Sequence, residues 1–208
     1  SADTDVLIVE MGAYQIGDIA DLCNLTQPDI SVLTGINEAH RERFGSLENT
    51  IQAKFEIVTH AKAGAPVILN ADDDRVIKNH TEYADDHKAH FYSAENHQLC
   101  KFTIKDKRFH TDGSGISFRL YQDGEELGYT KVAHLGEYII GNVIAGVIAG
   151  QQLGVEPQVA LESAAKITPA KRRLQPVQRT SSNILVIDDS YNGTSDGVKA
   201  ALETLDKF

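Results

Sequence analysis

Three polar groups in this sequence follow directly on apolar runs, and that placement makes them candidates for chemistry. Glu10 closes the run Val-Leu-Ile-Val at residues 6–9. The loop Asn37-Glu38-Ala39-His40 follows the mostly apolar run at 30–36, and Asp188-Asp189-Ser190-Tyr191-Asn192 follows Ile-Leu-Val-Ile at 184–187. In open α/β sheets, ligands gather outside the carboxyl ends of the strands. Carboxylates, an imidazole and an amide at three such ends therefore suggest one binding crevice. Polar residues after strands also make ordinary turns, which is the plainer alternative for Asp189 and Asn192. The cluster Lys171-Arg172-Arg173 adds a place for one small anion.

The elements that must position these groups alternate in type. Buried strands are expected at 6–9, 30–36, 66–69 and 184–187. Helical spacing covers 16–25, a helix opened by Ser46 as N-cap, 138–153, 157–167 and 195–205. Such alternation argues for an α/β fold with a mainly parallel sheet flanked by helices, in three layers. Between 100 and 135 the texture changes. Short strands at 102–104, 116–121 and 129–133 are joined by Asp112-Gly113-Ser114-Gly115 and Asp123-Gly124, which are hairpin signals. This predicts an antiparallel β-hairpin insert within one domain spanning 1–208, with a further strand at 175–178.

Composition narrows the function classes. The chain has 208 residues, enough to bury a real core, and carries 30 acidic against 20 basic side chains for a formal charge of −10. That balance argues against a nucleic-acid backbone as the main partner. Cys23 and Cys100 lie far apart and match no metal spacing, so reduced thiols are the simplest reading. No apolar run is long enough to span a bilayer and no signal segment opens the chain, so a cytoplasmic protein without membrane insertion is expected.

Three stretches carry a family resemblance. Val9-Glu10-Met11-Gly12-Ala13 with Gly17-Asp18-Ile19-Ala20 is the first. The second runs from Pro28-Asp29-Ile30 through Glu38-Ala39-His40 and Phe44-Gly45-Ser46-Leu47-Glu48 to Ala53-Lys54-Phe55-Glu56-Ile57. The third is Ile187-Asp188-Asp189-Ser190-Tyr191-Asn192. In this order they resemble the central, ATP-binding domain of the Mur ligase family, most of all the branch that adds D-alanyl-D-alanine.

The resemblance implies an ATP-dependent ligase of peptidoglycan precursor synthesis, using ATP and Mg2+. Such an enzyme phosphorylates a carboxylate and lets an amine attack the acyl phosphate. The implied partners are a UDP-MurNAc-tripeptide and D-alanyl-D-alanine. Glu10 would ligate the magnesium bridging the β- and γ-phosphates, and His40 and Lys54 would serve a second metal and the catalysis. Lys54 is implied to be carbamylated, since an amine that has taken up carbon dioxide becomes an oxygen ligand while an ammonium would repel a cation. Asn142, Arg173, Asp189 and Asn192 would contact the nucleotide.

The sequence also departs from the family. Its Gly-rich phosphate loop ends in Gly-Lys-Thr or Gly-Lys-Ser, whereas this chain contains no Gly-Lys dipeptide. The loop is expected before Ser1 and a third domain after Phe208, so the isolated chain is expected to be inactive. Where the family often reads Gly-x-His-Asn-x-x-Asn, this chain has Gly136-Glu137-Tyr138-Ile139-Ile140-Gly141-Asn142. Two other readings stay open. One is another Mur ligase or a relative of folylpolyglutamate synthase, and the other is a degenerate domain that binds nucleotide or a partner without turnover. A final expectation is self-association through the sheet edge left by the strand that precedes 6–9 in the family.

Overall fold

The computed structural model describes residues 3–37, 41–178, 184–191, 193 and 195–208. It divides into two compact units, residues 1–67 with 73–89, and residues 68–72 with 90–208. The boundary runs through β2 (Pro66–Asn70) and β3 (Lys88–Tyr92), which with β1 (Ser31–Leu33) form a sheet in the order β1-β2-β3.

The first unit is built on α1 (Asp18–Thr26), α2 (Arg41–Phe44), α3 (Leu47–Thr59) and α4 (Asp74–Tyr83). Ser46 caps α3, its side chain accepting the Asn49 amide at 3.2 Å, as the sequence suggests. The N-cap of α1 is Gly17, whose φ of 102° suits a residue without a Cβ. No side chain of α1 itself caps this end. The buried Glu56 of α3 does so instead, accepting the amides of Gly17 at 2.6 Å and Ala20 at 3.0 Å. Ile19 and Cys23 of α1 then pack with Ala13, Phe44 and Ala53, and Met11 and Ile57 lie against that cluster. On another side of α3, Phe55 stacks on Tyr83 of α4 with ring centroids 4.6 Å apart.

The second unit holds β4 (Phe102–His110), β5 (Gly115–Gln122), β6 (Glu125–Val132), α5 (Tyr138–Gln152), α6 (Pro157–Ala164), β7 (Gln175–Gln178), β8 (Leu185–Asp188) and α7 (Ser195–Leu205). The β5–β6 connection is Asp123-Gly124 with φ of 50° and 89°, the two positive values that a two-residue hairpin turn needs. At the far end of β5, a Cβ on Gly115 would stand 1.9 Å from the Val132 carbonyl oxygen, so only glycine fits. Helix α6 covers β6, where Thr130 Oγ1 donates to the Leu161 carbonyl at 2.9 Å.

The expected mainly parallel sheet is not what the chain forms. Among the described residues there are three separate sheets, and β4-β5-β6 and β7-β8 are antiparallel throughout. The strands within 100–135 are antiparallel as the turn residues indicate, and the first of them is longer than the expected 102–104 because β4 continues to His110. The run at 184–187 pairs antiparallel with β7 through Gln175–Asp188 and Gln178–Leu185. Too few residues separate these strands for the crossover of a dozen or more that a parallel connection requires. Residues 6–9 form no strand. They are extended and exposed, with Leu7 at 75% and Ile8 at 90%. An apolar run states a preference for burial, while a strand also needs a ladder partner.

Candidate functional site

In the first unit, Glu10 lies in the extended stretch before α1. Its side chain is exposed and, among the described residues, holds no hydrogen bond or ion pair. Lys54 sits midway along α3, between the buried Ala53 and Phe55. Burial pulls its ammonium below the ordinary lysine range, and no carboxylate among the described residues answers its charge. No hydrogen bond or ion pair joins Glu10 to Lys54. His40 lies outside the described residues. Among those described, no group of three or more His, Cys, Asp or Glu side chains is placed to hold a metal ion.

The approach to His40 is anchored by residues that the sequence did not single out for this role. Asp73, the N-cap of α4, accepts the Arg75 amide through Oδ1 at 2.8 Å and the Ile36 amide through Oδ2 at 2.6 Å. Arg75 donates from its guanidinium to the Ile36 carbonyl at 2.9 Å. Both polar groups of the Ile36 backbone are thus held by the start of α4. A Cβ on Gly35 would come within 3.2 Å of Asp73 Oδ2. The signal for this clamp was an Asp-Asp-Asp run before a polar helix, which reads equally well as a solvated turn.

In the second unit, Arg173 and Asp189 are brought together. The loop at 171–174 places Arg172 at φ 63° and Leu174 at φ 45°, a left-handed backbone that side chains seldom adopt. Asp189 Oδ1 accepts the Leu174 amide at 3.0 Å, and the Tyr191 amide donates to the Arg172 carbonyl at 3.1 Å. Two bonds therefore tie the basic loop to the segment after β8 and hold it in that conformation. The Arg173 guanidinium lies over the Tyr191 ring, 4.5 Å from its centroid. Asp188, by contrast, accepts the Ser190 amide in a local turn. Asn142 is exposed on α5, and Asn192 lies outside the described residues.

The start of α5 reaches the same place. Gly136 has no room for a Cβ, which would stand 2.3 Å from Tyr138 Cε1 and 2.8 Å from Leu174 Cδ1. Buried His134 accepts the Gly136 amide on Nδ1 at 3.0 Å and meets the Tyr138 hydroxyl with Nε2 at 3.3 Å. Burial holds the His134 imidazole below its ordinary pKa, and burial followed by the Asp189 charge raises that of Tyr138. His134 and Tyr138 were not among the residues the sequence nominated. Nothing in local spacing says that a histidine in a loop and a tyrosine one helical turn later will share a proton.

The arrangement offers an uncommitted carboxylate and a desolvated amine in one unit. In the other it offers a basic side chain, a carboxylate and an aromatic ring around the opening turn of a helix. Known proteins carry similar chains. The family model for the Mur ligase middle domain matches residues 1–150. The UDP-N-acetylmuramoyl-tripeptide–D-alanyl-D-alanine ligase of Haemophilus influenzae is 30% identical over 204 residues, covering 95% of this chain and 41% of that protein. Its Bacillus subtilis counterpart is 27% identical over 202 residues, covering 97% and 41%. Among solved structures, MurF from Acinetobacter baumannii has a TM-score of 0.82 at 23% identity over 95% of this chain and 41% of its own. Apo L. casei FPGS has a TM-score of 0.72 at 20% identity, over 99% of this chain and 48% of its own. The chain thus spans less than half the length of these relatives. With the larger part of its length inside the family model, it belongs to the Mur ligase middle-domain family.

Proposed function

We propose that this chain is the nucleotide- and metal-handling part of an ATP-dependent ligase that joins a carboxylate to an amine in peptidoglycan precursor synthesis. The specific reaction we assign to the protein that carries it is addition of D-alanyl-D-alanine to a UDP-MurNAc-tripeptide in the cytoplasm. The observation that carries the reading is Lys54, held on α3 with its charge disfavoured by burial and no carboxylate among the described residues to restore it. A surface lysine lying along its helix would keep its ammonium in water. A desolvated lysine spends more of its time as the free amine. That amine can attack the carbon of carbon dioxide, forming an N–C bond and releasing a proton to solvent, which leaves a carbamate anion.

The residues present fit a magnesium nucleotide. Glu10 supplies an uncommitted hard oxygen, and one or two carboxylates suffice because the ion keeps several waters. When bound, the magnesium nucleotide supplies charge neutralisation and the phosphoryl group that activates the carboxylate. Glu10, with His40 and Lys54, would hold the metal side. Arg173 can present two donors to phosphate oxygens, Asp189 fixes the loop that carries Arg173, and Asn142 and Asn192 would hold the nucleoside. The work of these residues is positioning and electrostatic stabilisation, the dominant contributions in phosphoryl transfer.

The test is phosphate release by the protein that carries this chain, with UDP-MurNAc-tripeptide and D-alanyl-D-alanine. Glu10→Ala, His40→Ala and Lys54→Ala should each abolish turnover while ligand-free folding persists. Turnover that survives all three substitutions would remove the assignment. The 208-residue chain alone, with no Gly-Lys dipeptide, should show no magnesium-dependent ATP hydrolysis. The likeness to FPGS supports a second reading, a ligase for a different amine, and a panel of amino-acid and dipeptide acceptors separates the two.

A further inference from the structure

We propose that Glu56 is a positioning residue for metal binding: from within α3 it fixes α1, and through Met11 the stretch carrying Glu10, relative to the helix that carries Lys54. The inference rests on the metal-side reading above and adds residues which that reading leaves out.

Glu56 is 5% exposed, on a helix where Ala53, Phe55 and Val58 are also buried. An apolar side chain at this position would avoid the desolvation that a carboxylate suffers. Both oxygens are instead committed to α1. Oε1 accepts the Gly17 amide at 2.6 Å, and Oε2 accepts the Ala20 amide at 3.0 Å. Helix starts are ordinarily capped by a Ser, Thr, Asp or Asn of their own. Such a local cap steadies a helix without deciding where it lies. A cap reaching across from α3 does both, because two bonds from one planar carboxylate set the direction of α1 as well as its start.

The same residue holds the second turn of α1. Cys23 Sγ lies 4.0 Å from the Glu56 carbonyl oxygen and 3.7 Å from Met11 Sδ. Burial, followed by the Glu56 charge, pushes the Cys23 thiol up, so it keeps the one proton it can offer to these two acceptors. Met11 also packs against the cluster of Ala13, Ile19, Cys23, Phe44 and Ala53, where Ile57 of α3 joins it. Met11 is thus pinned, while Glu10, one residue earlier, stays exposed. Adjacent Cα atoms are about 3.8 Å apart, so pinning Met11 confines the reach of the Glu10 carboxylate. Lys54 stands two positions before Glu56 on α3. Glu56 therefore sets the frame in which both groups are held.

Free Mn2+ counted by electron paramagnetic resonance reports metal binding by the proposed ligase without turnover. We expect Glu56→Gln, which keeps one acceptor oxygen, to weaken Mn2+ roughly tenfold, as loss of a residue supporting a metal ligand does. The apparent KM for Mg2+ should rise by a similar factor, while kcat at saturating Mg2+ stays near the wild-type value. Ser46→Ala removes the side-chain cap at the opposite end of α3 and should leave Mn2+ binding unchanged. A merely structural Glu56 would not separate these two variants. In the 208-residue chain, Glu56→Gln should speed hydrogen exchange at Gly17, Ala20 and Met11. Equal weakening of Mn2+ by Ser46→Ala would overturn the proposal. If Glu10→Ala abolishes Mn2+ binding and Glu56→Gln does not weaken it, this inference alone fails. If Glu10→Ala leaves Mn2+ binding intact, the metal-side reading fails with it.

Discussion

The Glu56 carboxylate caps a helix that begins 39 positions before it, accepting the Gly17 amide at 2.6 Å from within α3. A second bond, to Ala20, completes a cap that α1 lacks in its own sequence. Glu56→Ala would leave two helix-end amides without that acceptor and should cost about 2–3 kcal/mol. Glu56→Gln keeps one acceptor oxygen and should cost about half as much. Urea unfolding of both variants checks the order. An alanine variant as stable as wild type would mean that water caps α1 equally well.

Asp73 does similar work on the loop that leads to His40. It caps α4 and holds the Ile36 amide at 2.6 Å. Asp73→Ala should cost about 2–3 kcal/mol and expose the Ile36 amide to faster hydrogen exchange. Asp73→Asn keeps an acceptor for only one of the two tasks and should fall between. In the proposed ligase the alanine variant should lose turnover through that loop, with unfolding measured alongside to separate the effects.

How much of this was legible in the sequence depends on the range of the interaction. Ser46, Asp123-Gly124 and the periodic helices announced themselves because caps, turns and helical faces are local. The helix α4 and the strand β3 were missed. Val76 is the only buried residue of α4, so it has almost no apolar stripe to read, and β3 begins with the alternation Lys-Ala-His. Sheet direction was misjudged because apolar runs at 6–9 and 184–187 carry no record of their partners. The family likeness nominated Arg173 and Asp189 for separate nucleotide contacts and said nothing of a link between their segments. That link, the Leu174 amide donating to Asp189 and the Tyr191 amide donating to the Arg172 carbonyl, is a tertiary fact. The His134–Tyr138 pair was hidden for the same reason.

Lys54 gives a prediction in which function and stability oppose each other. Its folded-state pKa is lowered by burial, so the folded state binds this proton less readily than the unfolded state. Stability therefore rises with pH between the folded pKa and the ordinary lysine value, and the full penalty applies below that window. Lys54→Met should raise the urea midpoint near pH 7 while abolishing turnover in the proposed ligase. Its advantage over wild type should shrink as pH climbs toward the ordinary lysine range. A carbamate on wild-type Lys54 would appear as a labelled carbonyl signal after equilibration with 13C-bicarbonate. It should be absent from the methionine variant.

The remaining prediction concerns residues 6–9, which expose Leu7 and Ile8 on extended backbone. Extended apolar segments outside a ladder are templates for pairing with another chain. Here the exposed amides and carbonyls would gain partners while two large side chains left water. The expectation is self-association of the 208-residue chain at micromolar concentration, detected as a sedimentation coefficient that rises with loading. Ile8→Lys places a charge at the most exposed apolar position among the described residues and should return the chain to monomer, leaving the unfolding midpoint unchanged at dilutions where the wild type is also monomeric. A wild-type chain that sediments as a monomer across the range would exclude pairing through this segment. A rising coefficient unaffected by Ile8→Lys would move the contact to another face.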